Sequence, residues 1–276
     1  MYEILNDRSI IEVTGKDAVK FLQNLTTNDL TKTNYCYTYL LNNQGRYLFD
    51  FFVFIPSIEQ VFIDINKNNK EAFISHLIFY KLRSKIEITD LSDIYQVIYS
   101  HQIPNTGSLI AIRDPRDIFL GFRSIISKGV DLKQNITTGK LYLEDKYNFS
   151  IIDGYEDLIS NKSIPIEYGA EELNAISYDK GCYVGQEVIS RAKYQGVIRK
   201  KIFKVSAEKD LSILVKEDEI FTGQDKIGVI CSAYKNKAIA LIREEKYIAK
   251  KDLAIKVEGI DIKLSLPLWY SVIAIA

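Results

Sequence analysis

The chain has 276 residues, which is enough for two or three domains and for a large apolar core. Its hydrophobic fraction of 47% and charged fraction of 26% are those of a globular protein, which excludes a disordered, collagenous or coiled-coil chain. The 36 basic residues equal the 36 acidic residues in number, so the chain lacks the overall charge of a strong nucleic-acid or anionic-membrane binder.

The N-terminal part of the sequence alternates between strand and helix patterns. Residues 9–14 alternate as a strand, and Ala18, Phe21, Leu22 and Leu25 have the spacing of one helical face. Further strands are predicted over 35–41, 47–55, 61–65 and 85–89 and at several places between 95 and 126, with helices over 71–80 and, weakly, 156–159. This mixture predicts an α+β fold.

The pattern changes after Arg199, where short strands recur at a spacing of about ten residues. They are predicted over 201–205, 226–232, 238–243 and, around a turn, 254–266. An all-β barrel or sandwich follows from this rhythm. We therefore divide the chain into an α+β region, residues 1–200, and a C-terminal β domain, residues 201–276.

The cysteine and histidine content argues against a metal site. Cys36, Cys182 and Cys231 are far apart, and neither of the two histidines lies at ligand spacing from them. We therefore predict no bound metal ion. The sequence shows no basic segment followed by an apolar one at its start and no run of about 18 apolar residues. These features predict a cytoplasmic protein with reduced thiols and no membrane partner.

The densest group of small, polar and reactive residues is KGCYVGQE, residues 180–187, here called the cysteine motif. Gly181 and Gly185 flank Cys182 and suit a tight turn or a close backbone approach, and the residues after Gly185 favour a helix. We expect Cys182 at the entrance of that helix, where exposed N–H groups and Lys180 would favour the thiolate.

A structural interpretation of the cysteine motif also remains open. Cys182 could be a small buried residue in a glycine turn. In that case Glu187 and Arg191, four residues apart, would form an ordinary ion pair on a helix surface. The spacing alone does not decide between this interpretation and a reactive thiol.

The cysteine motif, with Arg191 after it, resembles the signature of the YgfZ/IBA57 family, folate-binding relatives of the glycine-cleavage T-protein that support iron–sulfur proteins. Residues 163–167 resemble the I/L-P-x-E segment of that family, and 13–25 are similar to its opening helix. Residues 42–50 resemble the loop that carries a folate-site aspartate in T-proteins, which is Asp50 here. The resemblance covers nearly the whole chain.

This resemblance implies a T-protein-like folate-binding region with ferredoxin-like, intertwined subdomains, followed by a C-terminal β-barrel. The implied function is that of a tetrahydrofolate-binding accessory protein for iron–sulfur cluster assembly or repair, which would affect tRNA modification through iron–sulfur enzymes. Its partners would be assembly or client proteins, and a cluster could be bound transiently. The candidate catalytic residues would be Cys182, Lys180, Glu187 and Arg191. The folate positions would be Asp50, Glu167, Gly181, Tyr183, Gly185 and Gln186.

Two alternatives belong to other functional classes. A folate-dependent one-carbon transferase of the aminomethyl type needs a base at the folate, and Asp50 is the only candidate. Residues 148–156 lack an arginine that family members usually show, so one cation for a folate carboxylate is missing. A tRNA-binding module is suggested by a basic run at Lys193, Arg199, Lys200, Lys201 and Lys204. We favour a solvated strand face for that run, because the whole chain is neutral.

Overall fold

The computed structural model describes residues 1–105, 107–132, 136–196, 198–250 and 253–272. In this part of the chain the strands are β1 (Glu3–Ile4), β2 (Arg8–Thr14), β3 (Tyr35–Leu41), β4 (Tyr47–Ser57), β5 (Gln60–Asn66), β6 (Glu87–Asp90), β7 (Tyr95–Ser100), β8 (Ile110–Arg113), β9 (Phe122–Ser127), β10 (Lys200–Ser206), β11 (Glu219–Thr222), β12 (Asp225–Tyr234), β13 (Lys237–Arg243), β14 (Ile255–Val257) and β15 (Ile260–Ser265). The helices are α1 (Ala18–Gln23), α2 (Lys70–Lys81), α3 (Leu141–Phe149), α4 (Gly154–Asp157), α5 (Gln186–Gln195), α6 (Glu244–Ala249) and α7 (Trp269–Val272). Short 3-10 turns cover Lys67–Asn69 and Pro165–Tyr168.

Two antiparallel sheets form the N-terminal region. The first has the strand order β3-β4-β5-β2-β6, and the second has the order β1-β7-β9-β8. The chain begins in the second sheet, builds the whole of the first and then returns to the second. This order confirms the α+β class predicted from the sequence.

The two faces of the first sheet pack against different parts of the protein. Phe51 and Val53 of β4 share a core cluster with Phe73 and Leu77 of α2. Phe52, which points to the opposite face, packs into the larger cluster that joins the second sheet, residues 141–183 and the barrel. Asp50 has the same parity as Phe52 and therefore lies on this inner side.

The C-terminal strands close into a barrel in the order β10-β13-β12-β11-β14-β15, because β10 also pairs with β15. The barrel confirms the β-rich domain expected from the ten-residue rhythm. The proposed boundary between residues 200 and 201 stays a prediction, although the first barrel strand begins at Lys200. Residues 251–252 and 273–276 of the predicted domain lie outside the described residues. No helix in the described ranges is long and apolar enough to cross a bilayer.

Candidate functional site

The cysteine motif forms an exposed turn that leads into α5. The helix begins at Gln186, and Gly185 is its N-cap in a left-handed conformation with φ of 84°. Cys182 is exposed and lies before this cap, in a segment with no helical structure. The helix begins where the sequence predicted, and Cys182 lies in the turn that leads into it, three residues before the N-cap. The thiol faces solvent, which excludes the alternative of a buried structural cysteine.

Lys180 points into the protein rather than toward solvent. Its Nζ donates hydrogen bonds to the backbone oxygens of Gln23, Thr26 and Asn28 at 2.7, 2.6 and 2.8 Å. Nζ also lies 5.0 Å from the ring centroid of the buried Tyr183. Burial lowers the pKa of Lys180 to about 8. All three ammonium protons are used by carbonyls around the end of α1, so Lys180 anchors the motif instead of serving as a free cation beside the thiol.

Gly185 joins the motif to the hairpin loop between β3 and β4. A Cβ atom on Gly185 would lie 2.7 Å from the oxygen of Asn42 and 3.1 Å from Cα of Gly45. A Cβ atom on Gly45 would in turn lie 2.9 Å from Cβ of Val188. Two of the segments that carry the family resemblance, the cysteine motif and residues 42–50, therefore pack directly against each other. By contrast, Gly181 has open space around its Cα, so no close approach requires a glycine there.

The remaining polar residues of the motif lie on the exposed face of α5. Glu187 and Arg191 form the predicted i,i+4 ion pair, with Nη2 of Arg191 at 2.7 Å from Oε1 of Glu187. Both side chains are mostly solvent-exposed, so the pair adds at most about 0.5 kcal/mol to stability. Gln186 is half-buried at the first helical position. Both charged side chains are thus accessible to solvent, as Cys182 is.

Asp50 occupies a closed interior site. Its carboxylate accepts hydrogen bonds from the hydroxyls of Tyr37 at 2.9 Å and Tyr47 at 2.7 Å, one on each oxygen. Burial, together with the nearby Asp50, raises the pKa of both tyrosines well above its usual value, so they keep these protons. A Cβ atom on Gly154 would lie 2.3 Å from Oδ1 of Asp50, so only glycine fits against it. Asp50 is 2% exposed.

A pterin ring bound to Asp50 would need free acceptor positions and space beside the carboxylate. Each oxygen already accepts one tyrosine hydroxyl, and the backbone of Gly154 packs against Oδ1 and takes up the space beside it. The guanidinium of Arg116 lies 4.9 Å from the ring centroid of Tyr37 and 4.8 Å from that of Phe52. The residue types suit a pterin, but the interior is filled, so this arrangement does not fit the ligand.

The filled interior contains a chain of buried charges. Asp64 pairs with Arg8 at 2.6 Å and with Arg123 at 2.9 Å, and Arg123 lies 3.8 Å from Asp114. Arg116 pairs with Asp114 and continues the chain. These residues come from β2, β5, β9 and the loop after β8, so the chain of charges ties the two sheets together.

The same chain of charges continues into the barrel. Arg116 pairs with Asp153 at 2.7 Å, and Lys146 of α3 lies 3.7 Å from Asp153 and 2.9 Å from Asp157. Ser232 of β12 donates to Asp157. Burial disfavours the ionised form of Asp153, but Lys146 and Arg116 outweigh this and hold its pKa well below the usual value. Sequence reasoning missed this network; its only local signal is a charged residue inside an apolar strand, such as Asp64.

The predicted folate residues lie on three different segments. Glu167 lies in the 3-10 turn at Pro165–Tyr168 and faces Lys200, with Nζ to Oε2 at 3.3 Å. Asp50 lies in the closed interior, and Gly181, Tyr183, Gly185 and Gln186 belong to the motif turn. No group of three or more potential metal ligands occurs within the described ranges.

Three of the five cations in the basic run, which starts within α5, have acidic partners. Lys193 pairs with Glu171, Lys200 with Glu167 and Lys201 with Glu244, while Lys204 donates to the backbone oxygen of Asn148. Such paired side chains offer little charge to a phosphate backbone. The arrangement is that of a paired protein surface.

Comparison with known proteins places this geometry in a family. Residues 6–99 match the GCVT N-terminal domain, and residues 199–272 match the CAF17 C-terminal beta-barrel domain. The human iron–sulfur cluster assembly factor IBA57, mitochondrial, is 27% identical, and the alignment covers 98% of this chain and 85% of the relative. The chain belongs to the YgfZ/IBA57 family. Fungal homologues of this factor are 31% identical in Mycosarcoma maydis and 30% in Neurospora crassa, over 72% of this chain.

The alignments leave part of the relatives' length uncovered and do not establish where this protein acts. The chain spans about half the length of these fungal relatives, 55% and 52% respectively. The names of the human and fungal relatives place them in mitochondria, and the cytoplasmic location of this protein stays a prediction. The aminomethyltransferase T of the glycine cleavage system from Bartonella henselae has the same fold, with a TM-score of 0.72 over 96% of this chain and 84% of that chain. At 15% identity this likeness confirms the T-protein-like fold and nothing about activity.

Proposed function

We propose that this protein is an iron–sulfur cluster assembly factor in which Cys182 is the working thiol. The observation that carries the proposal is the exposed thiol on a turn built to present it. Lys180 holds that turn on the protein interior through three hydrogen bonds to backbone oxygens, and Gly185 packs closely against the β3–β4 loop. The names of the family members, which are assembly factors, support the same function.

In this proposal the cluster is cargo rather than a resident cofactor. Iron–sulfur clusters are held mainly by several cysteine thiolates. Cys182 would supply one of them, and the partner protein the others, for the time of a transfer. Glu187 and Arg191, exposed on the helix that follows the cysteine, would contact that partner. The other two cysteines are buried, so neither competes for the cluster.

The test is the state of iron–sulfur enzymes in cells that lack this protein. We expect their activity to fall and to return when the gene is restored, while a cluster-free enzyme of the same cells keeps its activity. Equal activity of iron–sulfur enzymes with and without the protein would remove the assembly function. Any change in tRNA modification would follow as a secondary effect, through modification enzymes that carry clusters.

A reduced folate is the second part of the proposal, and the T-protein-like fold alone supports it. We assign it no step, because the interior around Asp50 is filled. Titration calorimetry of the purified chain with 5-formyl-tetrahydrofolate tests it, since saturable micromolar binding would retain the folate and no heat would remove it. An aminomethyl transfer reaction is not proposed, because the candidate base Asp50 is already bonded to Tyr37 and Tyr47.

A further inference from the structure

A cavity of about 330 Å³ lies where the N-terminal region meets the barrel. Its walls come from the β3–β4 loop, from residues 157–168 and from the barrel strands β12 and β13. Tyr168, Cys231 and Leu241 contribute to an apolar part of the lining. This volume falls in the range in which proteins bind small organic molecules. The cysteine motif does not line the cavity, so its ligand is independent of the proposed thiol chemistry.

Positive charge predominates in the cavity wall. Six basic side chains line it, against three carboxylates, which leaves an excess of three positive charges. The basic residues are Arg46, Lys162, Lys200, Lys216, Lys226 and Arg243, and the carboxylates are Asp157, Glu167 and Glu217.

Every carboxylate of the wall already has a cationic partner. Glu217 pairs with Lys162 at 2.5 Å, and Glu167 pairs with Lys200 at 3.3 Å. Asp157 pairs with Lys146, which is buried behind the wall, at 2.9 Å. None of the three carboxylates is left to neutralise the other cations.

Three of the cations have no carboxylate partner among the described residues. The guanidinium of Arg46 donates only to the backbone oxygen of Lys162, at 3.0 Å. Lys216 donates to the backbone oxygens of Tyr155 and Leu158 at 3.1 and 3.0 Å. The guanidinium of Arg243, which is exposed at the end of β13, makes no hydrogen bond or ion pair within the described ranges.

We propose that this cavity binds a small organic anion with two or three negative charges, carried by carboxylate or phosphate groups. Arg46, Lys216 and Arg243 come from three separate segments, so one multivalent anion would join the N-terminal region to the barrel. Guanidinium groups bind both carboxylate and phosphate through paired N–H donors. The apolar part of the ligand would lie over Tyr168 and Leu241. Neutralising three like charges that share one cavity is the driving force.

Titration calorimetry on the full chain tests this site with three probes: inorganic pyrophosphate, citrate and γ-linked triglutamate. We expect saturable binding of at least one probe with a Kd below about 1 mM at low salt, weakening as salt is added. Binding of pyrophosphate alone identifies a phosphate ligand, and binding of citrate or triglutamate alone identifies a carboxylate ligand. If none of the three probes binds, the proposal is overturned.

Alanine variants test whether the anion binds in this cavity. Arg243→Ala should weaken binding about tenfold or more, as expected for the loss of a charged hydrogen bond. Arg83→Ala, an exposed arginine that does not line the cavity, is the matched control and should bind like the parent. Arg46→Ala provides a second variant if Arg243→Ala is poorly folded. Unchanged affinity in the folded cavity variants, or an equal loss in Arg83→Ala, would contradict the site.

Discussion

Nζ of Lys180 donates a hydrogen bond to the backbone oxygen of Thr26 at 2.6 Å, across 154 residues of sequence. This contact, with those to Gln23 and Asn28, holds the cysteine motif against the end of α1. Lys180, two residues before Cys182, thus supports the turn that presents the thiol. Its role is to position Cys182 in space.

Replacing this lysine tests the anchor. Lys180→Met should lower the free energy of unfolding by about 2–4 kcal/mol, because three backbone oxygens lose a charged donor and the motif turn loosens. Urea unfolding measures the change. Lys20→Met, on an exposed side chain of α1, is the control and should change stability by less than about 0.5 kcal/mol.

The same variant has a defined pH dependence. The pKa of Lys180 is lowered to about 8 in the folded protein from 10.5. Between these values the unfolded chain binds more protons than the folded one, so this group makes the parent more stable as pH rises. The stability gap between parent and Lys180→Met should widen by about 1 kcal/mol from pH 8 to 9. A gap that stays constant would contradict the lowered pKa.

The two glycines of the motif should respond differently to alanine. Gly185→Ala places a side chain in a left-handed conformation and against the oxygen of Asn42, which costs at least about 1–2 kcal/mol. Gly181→Ala has open space and should be nearly neutral. Chemical unfolding of both variants is the measurement. Equal losses of stability in the two variants would contradict the close contact between Gly185 and the hairpin loop.

The buried charges predict instability in acid. The pKa of Asp153 is held below its usual value, so its contribution is present above the unfolded pKa of about 3.9 and is lost as pH falls below it. Asp153→Asn should therefore flatten the decrease in unfolding free energy between pH 5 and 3. The exposed Asp93→Asn is the control and should keep the parent slope. If the unfolding free energy of Asp153→Asn falls between pH 5 and 3 as steeply as that of the parent, this carboxylate does not cause the instability in acid.

The strands and helices of the first sheet could be predicted because they follow simple apolar periods, as in β2 and α1. The sequence did not predict helix α3, because two charged residues, Asp145 and Lys146, lie on its buried side and mask the amphipathic pattern. There Asp145 accepts a hydrogen bond from Tyr99, and Lys146 forms an ion pair with Asp157. The interior position of Asp50 could not be predicted from local sequence patterns either. It depends on Gly154, which packs against the carboxylate and is distant in sequence.

The hydrogen-bond partners of Lys180 could not be predicted from the sequence either. Its neighbour Cys182 suggested a role at the thiol, whereas its hydrogen-bond partners are carbonyls more than 150 residues earlier in the chain. The exposed ion pair of Glu187 and Arg191 was predictable, because it depends only on helical spacing. Contacts within one element follow from sequence, and contacts between distant segments do not.

The three thiols should differ in reactivity. Cys182 is exposed, whereas Cys36 and Cys231 are 4% and 2% exposed, and burial raises the pKa of both, that of Cys36 to about 12. Iodoacetamide treatment of the native protein at pH 7.5, read by peptide mass spectrometry, should modify Cys182 first. All three should react at similar rates in urea. Faster native labelling of Cys36 or Cys231 would contradict the described turn.

Complementation by Cys182→Ser in cells that lack the parent protein tests the central claim most directly. Serine keeps nearly the volume of cysteine but loses the soft sulfur ligand, so iron–sulfur enzyme activity should stay at the level of the deletion while the variant protein folds normally. Cys231→Ala, at a buried thiol, is the matched control and should restore activity if it accumulates. Full restoration by Cys182→Ser would show that the thiol is dispensable and would contradict the account.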